Sequence, residues 1–323
     1  MLSHRNEITP VIIGSSGWLS TAAQNYFWSS STPFSEPIVI GSKERVCDQF
    51  GNTILPLEHA ARLLRKVTDS ELVVFHFAYL TQEKVGKDVN GYLSCIDDIN
   101  GHVVSIMEQL PVSGFVYASS GAAGIDYGCA PEQSAGKAVY GTKKLADEIL
   151  FAELCDKHNI DYLAPRIFSL GGNYINKLDG YAISNMILQA LKSGEINIHA
   201  KTPVWRSYID VYDLVAVLVK RLEMGGQAGL LSGCFDATLD VTAEMQDLAL
   251  SVCRHFEINF EKIIRQNFFA DGIEDRYVGN SDQFIDLARR VDHEWNNLDQ
   301  IVSVTADYVE SKLKAQNNMN ASK

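Results

Sequence analysis

The sequence predicts an α/β fold on a doubly wound parallel sheet, with a smaller C-terminal α/β lobe. Apolar runs at 11–14, 37–41, 72–78, 114–120 and 161–168 lack the strict alternation of a half-exposed strand, as expected for strands buried on both faces. Candidate helices at 18–28, 58–66, 89–109 and 138–157 separate those runs, and strand–helix–strand repetition marks a parallel, doubly wound sheet. The first run, "VIIG", passes directly into a glycine-bearing turn and a helix.

Bulk composition bounds the rest. The chain has 323 residues, 46% hydrophobic and 21% charged, enough to bury a sizeable core without disulfides or metals. Its formal net charge of −12 makes it a poor partner for nucleic acid or an anionic membrane, both of which need a positive field. Cys47, Cys95, Cys129, Cys155, Cys234 and Cys253 form no Cys-x-x-Cys pair, so neither a zinc ribbon nor a redox motif is expected, and reduced core thiols are. "MLSHRNEITP" lacks the apolar segment of a secretion signal, and no apolar run approaches the ~20 residues needed to span a bilayer. The expected location is the cytoplasm. The eight histidines show no metal-ligand spacing, and no metal is expected.

The expected dinucleotide-binding domain is 1–171, with 172–323 mostly a substrate-binding lobe and a strand and helix around 205–225 returning to the first domain. In the second part, "YAISNMILQALKSG" predicts a helix ending at Gly194, and "VYDLVAVLVKRLEMGG" one ending at Gly225 and Gly226. "VTAEMQDLALSVCRHF" predicts a helix with Thr242 as its N-cap. "SVTADYVESKLKAQ" is a terminal amphipathic helix.

In a doubly wound sheet, ligands bind beyond the carboxyl ends of the strands. After the first strand, Gly14 suits a tight turn of positive φ. Gly17 lets a phosphate approach the backbone, and the next helix offers its N–H groups. The candidate phosphate cradle is Gly14, Ser16, Gly17, Trp18 and Leu19, with Ser20 where a third glycine would complete the pattern. The alternative is an ordinary strand-to-helix turn. The second strand ends in "GSKER". Ser42, Lys43 and Arg45 suit the extra 2′-phosphate of NADP(H), whereas Glu44 could reach a ribose and keeps NAD(H) open.

Tyr140 and Lys144 in "AVYGTKKLADEIL" are four apart and share a helix face. A nearby ammonium favours the phenolate, which brings a tyrosine into acid–base range for a carbonyl or alcohol. The strand end "FVYASS" supplies Ser119 and Ser120, either of which can hydrogen-bond the same oxygen.

With these residues in view, the chain resembles the extended short-chain dehydrogenase/reductase superfamily, in its NAD-dependent epimerase/dehydratase branch. "GSSGWLS" resembles its Gly-x-x-Gly-x-x-Gly loop, and "HFAY" its His-Leu-Ala-Ala segment, placing His76, Phe77 and Ala78 along the cofactor. "YASSG" and "YGTKK" are similar to its Ser-Ser strand end and Tyr-Gly-x-Ser-Lys. The resemblance implies a Rossmann-type sheet, Ser120 as the catalytic hydroxyl, Tyr140 as acid/base and Lys144 as its partner. "PRIFSLGG" and "RSYIDVYDL" resemble substrate-side segments, which implies Arg166, Ser169 and Arg206 as substrate contacts, Arg206 at a nucleotide-sugar phosphate. Arg166 has a structural salt bridge as its equal alternative. Pro56 stands where the family often has an Asp near the adenine, and Leu57 beside it is a cofactor contact. Ser169 stands for an asparagine and Gly172 for a proline.

The implied chemistry is hydride exchange between a sugar carbon and a nicotinamide. Gly121 and Ala122 follow Ser120 where a dehydratase carries an Asp–Glu pair, which disfavours dehydration. The "GSKER" turn favours a reductase of a keto-sugar nucleotide, with an NAD-dependent epimerase as the runner-up. A dinucleotide-binding regulator without catalysis is the alternative of another class. The resemblance also implies a homodimer.

Overall fold

The computed structural model describes residues 8–43, 53–125, 135–226 and 229–321. In the first half, strands β1 (Ile8–Ile13), β2 (Ile38–Gly41), β3 (Ile54–Pro56), β4 (Glu71–His76), β5 (Val112–Tyr117), β6 (Ser119–Ser120) and β7 (Asp161–Ile167) alternate with helices α1 (Trp18–Ser29), α2 (Ala60–Val67), α3 (Val89–Gln109) and α4 (Ala135–His158). There follow β8 (Ser169–Gly171), α5 (Ala182–Ser193), β9 (Ile196–Asn197), β10 (Val204–Asp210), α6 (Val211–Glu223) and β11 (Gly233–Ala237). The chain ends with β12 (Thr242–Glu244), α7 (Met245–His255), β13 (Ile263–Ile264), β14 (Asp275–Tyr277), α8 (Asp282–Arg290) and α9 (Leu298–Ala321). No described helix is long and apolar enough to cross a membrane.

The chain divides into two compact units, Met1–Ile167 with Leu218–Asp236, and Phe168–Val217 with Ala237–Lys323. The first holds the main sheet, ordered β11-β7-β5-β4-β1-β2-β3. Its pairings from β3 to β7 are parallel, as the apolar runs predict. Val11, Ile12 and Ile13 are at most 1% exposed, so β1 is covered on both faces. The chain winds outward through β2 and β3, then returns to place β4 on the other side of β1. That reversal is where a doubly wound sheet opens its ligand crevice.

Three local features depart from expectation. The strand β3 is three residues long, too short to leave a periodicity. The run 114–120 is two strands, because the β5–β7 ladder stops at Val116–Leu163 and β6–β7 resumes at Ser119–Arg166. Pro165 falls in that gap and has no N–H to give the ladder. Finally, Thr242 lies in β12 rather than capping a helix. Glu244 caps α7 in a reciprocal box with Asp247, and a carboxylate fills the cap role as well as a hydroxyl does.

In the second unit β10 is central to a sheet ordered β12-β10-β14, with β8 also paired to β10. Helices α5, α7 and α9 pack on one another. Helix α5 ends at Gly194 with φ +66, as predicted.

Candidate active site

The turn after β1 contains two glycines with different reasons for being glycine. Gly14 has φ +113, and a Cβ there would lie 2.8 Å from the Ala78 backbone nitrogen. The chain itself forbids a side chain at that position, because β1 and β4 end side by side. Gly17 has φ −74 and ψ 159, open to any residue. A Cβ on it would meet nothing nearer than Ser20 Oγ at 3.8 Å. What Gly17 leaves is space, in front of an α1 N-terminus that no side chain caps. Space at a helix N-terminus suits an anion, so the residues present fit the pyrophosphate of a dinucleotide. Ser16 is exposed, Leu19 half-buried and Trp18 buried at this turn. Ser20 is fully buried with its Oγ unpartnered.

At the end of β2, Gly41 is buried against Ser15 and Ile54, while Ser42 and Lys43 are exposed. Arg45 lies outside the described residues. Leu57 is half-buried and packs its side chain on the main core.

His76 corrects the expectation drawn for it. Its ring does not line the crevice. It is 1% exposed, packed among Phe115, Tyr117 and Phe151, and its Nε2 donates to Asn100 Oδ1 at 3.0 Å. Val74 and His76 alternate onto the α3–α4 side of β4, so the side chain enters the core. Burial lowers its pKa to about 4, which keeps the ring neutral. Phe77 packs on Phe75, and Ala78 presents its backbone to Gly14.

The catalytic candidates gather around α4, which packs against β6 and the turn after Ser120. Ser119 and Ser120 differ. Ser119 Oγ donates to the buried Glu148 at 2.5 Å, whereas Ser120 Oγ accepts from Ala122 N at 3.2 Å. Tyr140 is half-buried, its ring edge-on to Tyr79 at 5.9 Å. Lys144 is 3% exposed. Its Nζ donates to Ala118 O at 2.7 Å, sits 3.3 Å over the Tyr79 ring and lies 6.0 Å from the Tyr140 ring centre. Ala118 belongs to the interrupted stretch opposite Pro165, so a carbonyl outside the β5–β7 and β6–β7 pairings anchors the lysine.

Two arginines expected at the substrate are already engaged. Arg166 holds Glu148 through two bonds, Nε to Oε1 at 2.9 Å and Nη2 to Oε2 at 2.7 Å. Glu148 is 2% exposed. This is the structural salt bridge, and it corrects the diphosphate reading of Arg166, because the face of the guanidinium that suits a phosphate is spent on a buried carboxylate. In the second unit, Arg206 pairs with Asp275 at 2.8 Å, and that carboxylate is 56% exposed. Ser169 lies in β8 opposite Tyr208 of β10. A cavity of about 450 Å³ in this unit is lined by Pro203, Trp205, Glu244, Gln246, Arg265 and Phe268, among others.

Sequence reasoning missed Asp147, which is fully buried and accepts from Tyr79, Tyr117, Asn100 and Lys143. Its position three after Lys144 was the only signal. No group of metal-binding side chains occurs among the described residues.

The fold defines a Rossmann-type protein with a glycine-bearing turn at the switch point of its sheet. Residues 57–230 match the family model of the NAD dependent epimerase/dehydratase family, and the chain belongs to that family. No curated protein matches the sequence. Among solved structures, it is similar to the UDP-N-acetylglucosamine 4-epimerase of Bacillus cereus, at TM-score 0.70 and 18% identity over 92% of this chain and 98% of that one. It is also similar to the UDP-glucuronic acid 4-epimerase of Bacillus cereus, solved with UDP-glucuronic acid and NAD, at TM-score 0.69 and 14% identity, covering 94% and 99%. A third is the dTDP-glucose 4,6-dehydratase of Bacillus anthracis str. Ames, solved with NAD, at TM-score 0.67 and 13% identity, covering 94% and 97%. Identities this low carry the fold alone.

Proposed function

We propose that this protein is a nicotinamide-dependent oxidoreductase that reduces a keto-sugar carried on a nucleotide, with NADP(H) as its cofactor. The observation that carries the choice is the end of β2. Gly41 is buried and Ser42 and Lys43 are exposed, while Glu44 and Arg45, next in the sequence, lie outside the described residues. A hydroxyl and an ammonium there suit a 2′-phosphate. The turn at Gly14 and Gly17 receives the pyrophosphate.

A bound nicotinamide supplies hydride. The chain supplies the rest. Tyr140 moves the proton of the reacting oxygen, Ser120 hydrogen-bonds that oxygen, and the charge on Lys144 favours the Tyr140 phenolate. Gly121 and Ala122, both buried in the turn after β6, put no acid beside Ser120, which speaks against water elimination. Within the second unit, Arg206 binds a phosphate of the substrate by exchanging its exposed partner Asp275, and Ser169 is a further substrate contact. Leu145, Ile149 and Leu150 leave apolar surface exposed on α4, which supports a homodimer formed through this helix.

The second reading is an NAD-dependent epimerase. Two of the similar folds reported above are nucleotide-sugar 4-epimerases, one of them solved with NAD. The deciding experiment denatures purified protein and identifies any released dinucleotide by mass spectrometry. It then titrates NADPH and NADH against stripped protein. Preference for NADPH in a protein that purifies empty supports the reductase. Stoichiometric NAD⁺ overturns it in favour of the epimerase. Binding of neither dinucleotide overturns both. If dinucleotide binds and Tyr140→Phe leaves the cellular function intact, the regulator is favoured.

A further inference from the structure

Asp147 and Glu148 are neighbours on α4, yet they serve different clusters. Glu148 takes Arg166 and Ser119, as described. Asp147 has two donors on each oxygen. Oδ1 accepts from Lys143 Nζ at 2.6 Å and Asn100 Nδ2 at 2.9 Å, and Oδ2 accepts from the hydroxyls of Tyr79 at 2.9 Å and Tyr117 at 3.2 Å. The same two tyrosines present their rings to the Lys144 ammonium, at 3.3 Å and 4.6 Å from the ring centres. A ring face is a favourable neighbour for a desolvated cation. One carboxylate therefore fixes, by their hydroxyls, both aromatic walls of the lysine's box.

We propose that Asp147 and Tyr79 form a positioning unit for Lys144. The carboxylate fixes the Tyr79 ring over the ammonium and supplies the negative charge that lets a buried lysine stay protonated. The proposal rests on the reading of Lys144 as the partner of Tyr140, and adds what keeps that partner in its working state.

The charges around the lysine make the assignment specific. From α4 it faces Tyr140, Lys143, Asp147 and Glu148. From β4 and the residues after it come His76 and Tyr79, and from β5 comes Tyr117. Tyr92 and Asp97 of α3 reach it only through Asp147 and Lys143. Burial pushes the Lys144 ammonium down to about 7, Asp147 and then Glu148 oppose that fall, and Lys143 adds to it. His76 is neutral and contributes no charge. Asp147 also absorbs the charge of Lys143, its direct partner at 2.6 Å. Without Asp147, two adjacent lysines would face each other with only Asp97 and Glu148 as counter-charges. The tyrosines cannot take its place, because burial, the largest cause, already holds both phenols above their ordinary range.

The test is the titration of the Lys144 side chain in ligand-free protein. It is followed by NMR on lysine-labelled samples and assigned with Lys144→Met. In Asp147→Asn the midpoint moves down by about one unit or more, a tenfold change in proton affinity. Tyr79→Phe keeps the ring and removes its tether, and moves the midpoint in the same direction by less. Unchanged midpoints in folded Asp147→Asn and Tyr79→Phe overturn the proposal. If Asp147→Asn does not fold, Tyr79→Phe decides alone, by shift or no shift. The titration needs no dinucleotide, so failure of wild-type protein to bind NADPH or NADH defeats the cofactor reading and leaves this result separately visible.

Discussion

The turn after β1 and the cluster behind α4 solve opposite problems. At Gly17 the chain leaves room. No backbone strain and no neighbouring atom demands a glycine there. At Asp147 the chain leaves none, since both oxygens of a fully buried carboxylate are supplied with two donors. The contrast separates receiving from preparing. A ligand is received where the fold withholds atoms, and a reactive group is prepared where the fold supplies every partner.

The largest expected effect breaks the filled side. Glu148→Ala leaves Arg166 without its carboxylate, and loss of one member of a buried pair costs about 3–5 kcal/mol, read from chemical denaturation. Next comes acid. His76 has its pKa lowered by burial to about 4, so in the window from its unfolded value of about 6.5 down to 4 the unfolded chain binds a proton that the folded chain does not. Stability falls as pH drops through that window, by about 3 kcal/mol in all. His76→Gln should flatten that part of the stability–pH curve, and an unchanged slope would refute the assignment to this ring.

The open side gives the sharper contrast. Gly14→Ala must adopt a strained φ against the Ala78 backbone, and costs roughly 1–3 kcal/mol of stability. Gly17→Ala should change stability by no more than about 0.5 kcal/mol, yet weaken dinucleotide binding measured by fluorescence titration. Equal stability losses at the two glycines would erase the distinction drawn between them. The smallest change is expected from Ile149→Glu on exposed α4. It should leave unfolding nearly unmoved and shift the proposed homodimer toward monomer in light scattering; an unchanged mass would refute the α4 contact.

Much of this architecture was legible. Both-face burial made the strands of the main sheet unbroken apolar runs, and a spacing of four put Tyr140 and Lys144 on one helix face. The illegible parts have physical reasons. "LVVFHFA" does not alternate, so nothing in it reveals that the face shared by Val74 and His76 is the one packed under α3 and α4. The Asp147 cluster draws Tyr79, Asn100 and Tyr117 from positions 68, 47 and 30 residues away, and only the parallel sheet brings them together. Arg166 carries the same charge whether it meets a phosphate or Glu148, and its partner is set by packing between β7 and α4.

Pro165 has one further consequence. The lysine at the heart of α4 is moored to a main-chain oxygen, in a stretch where the ladder to β7 is interrupted opposite a residue that lacks an amide hydrogen. Main-chain atoms do not change when side chains mutate. The cation is held from two sides, by the aromatic box and by this oxygen, and Pro165 becomes the residue whose replacement would offer the ladder a new donor and loosen the second hold.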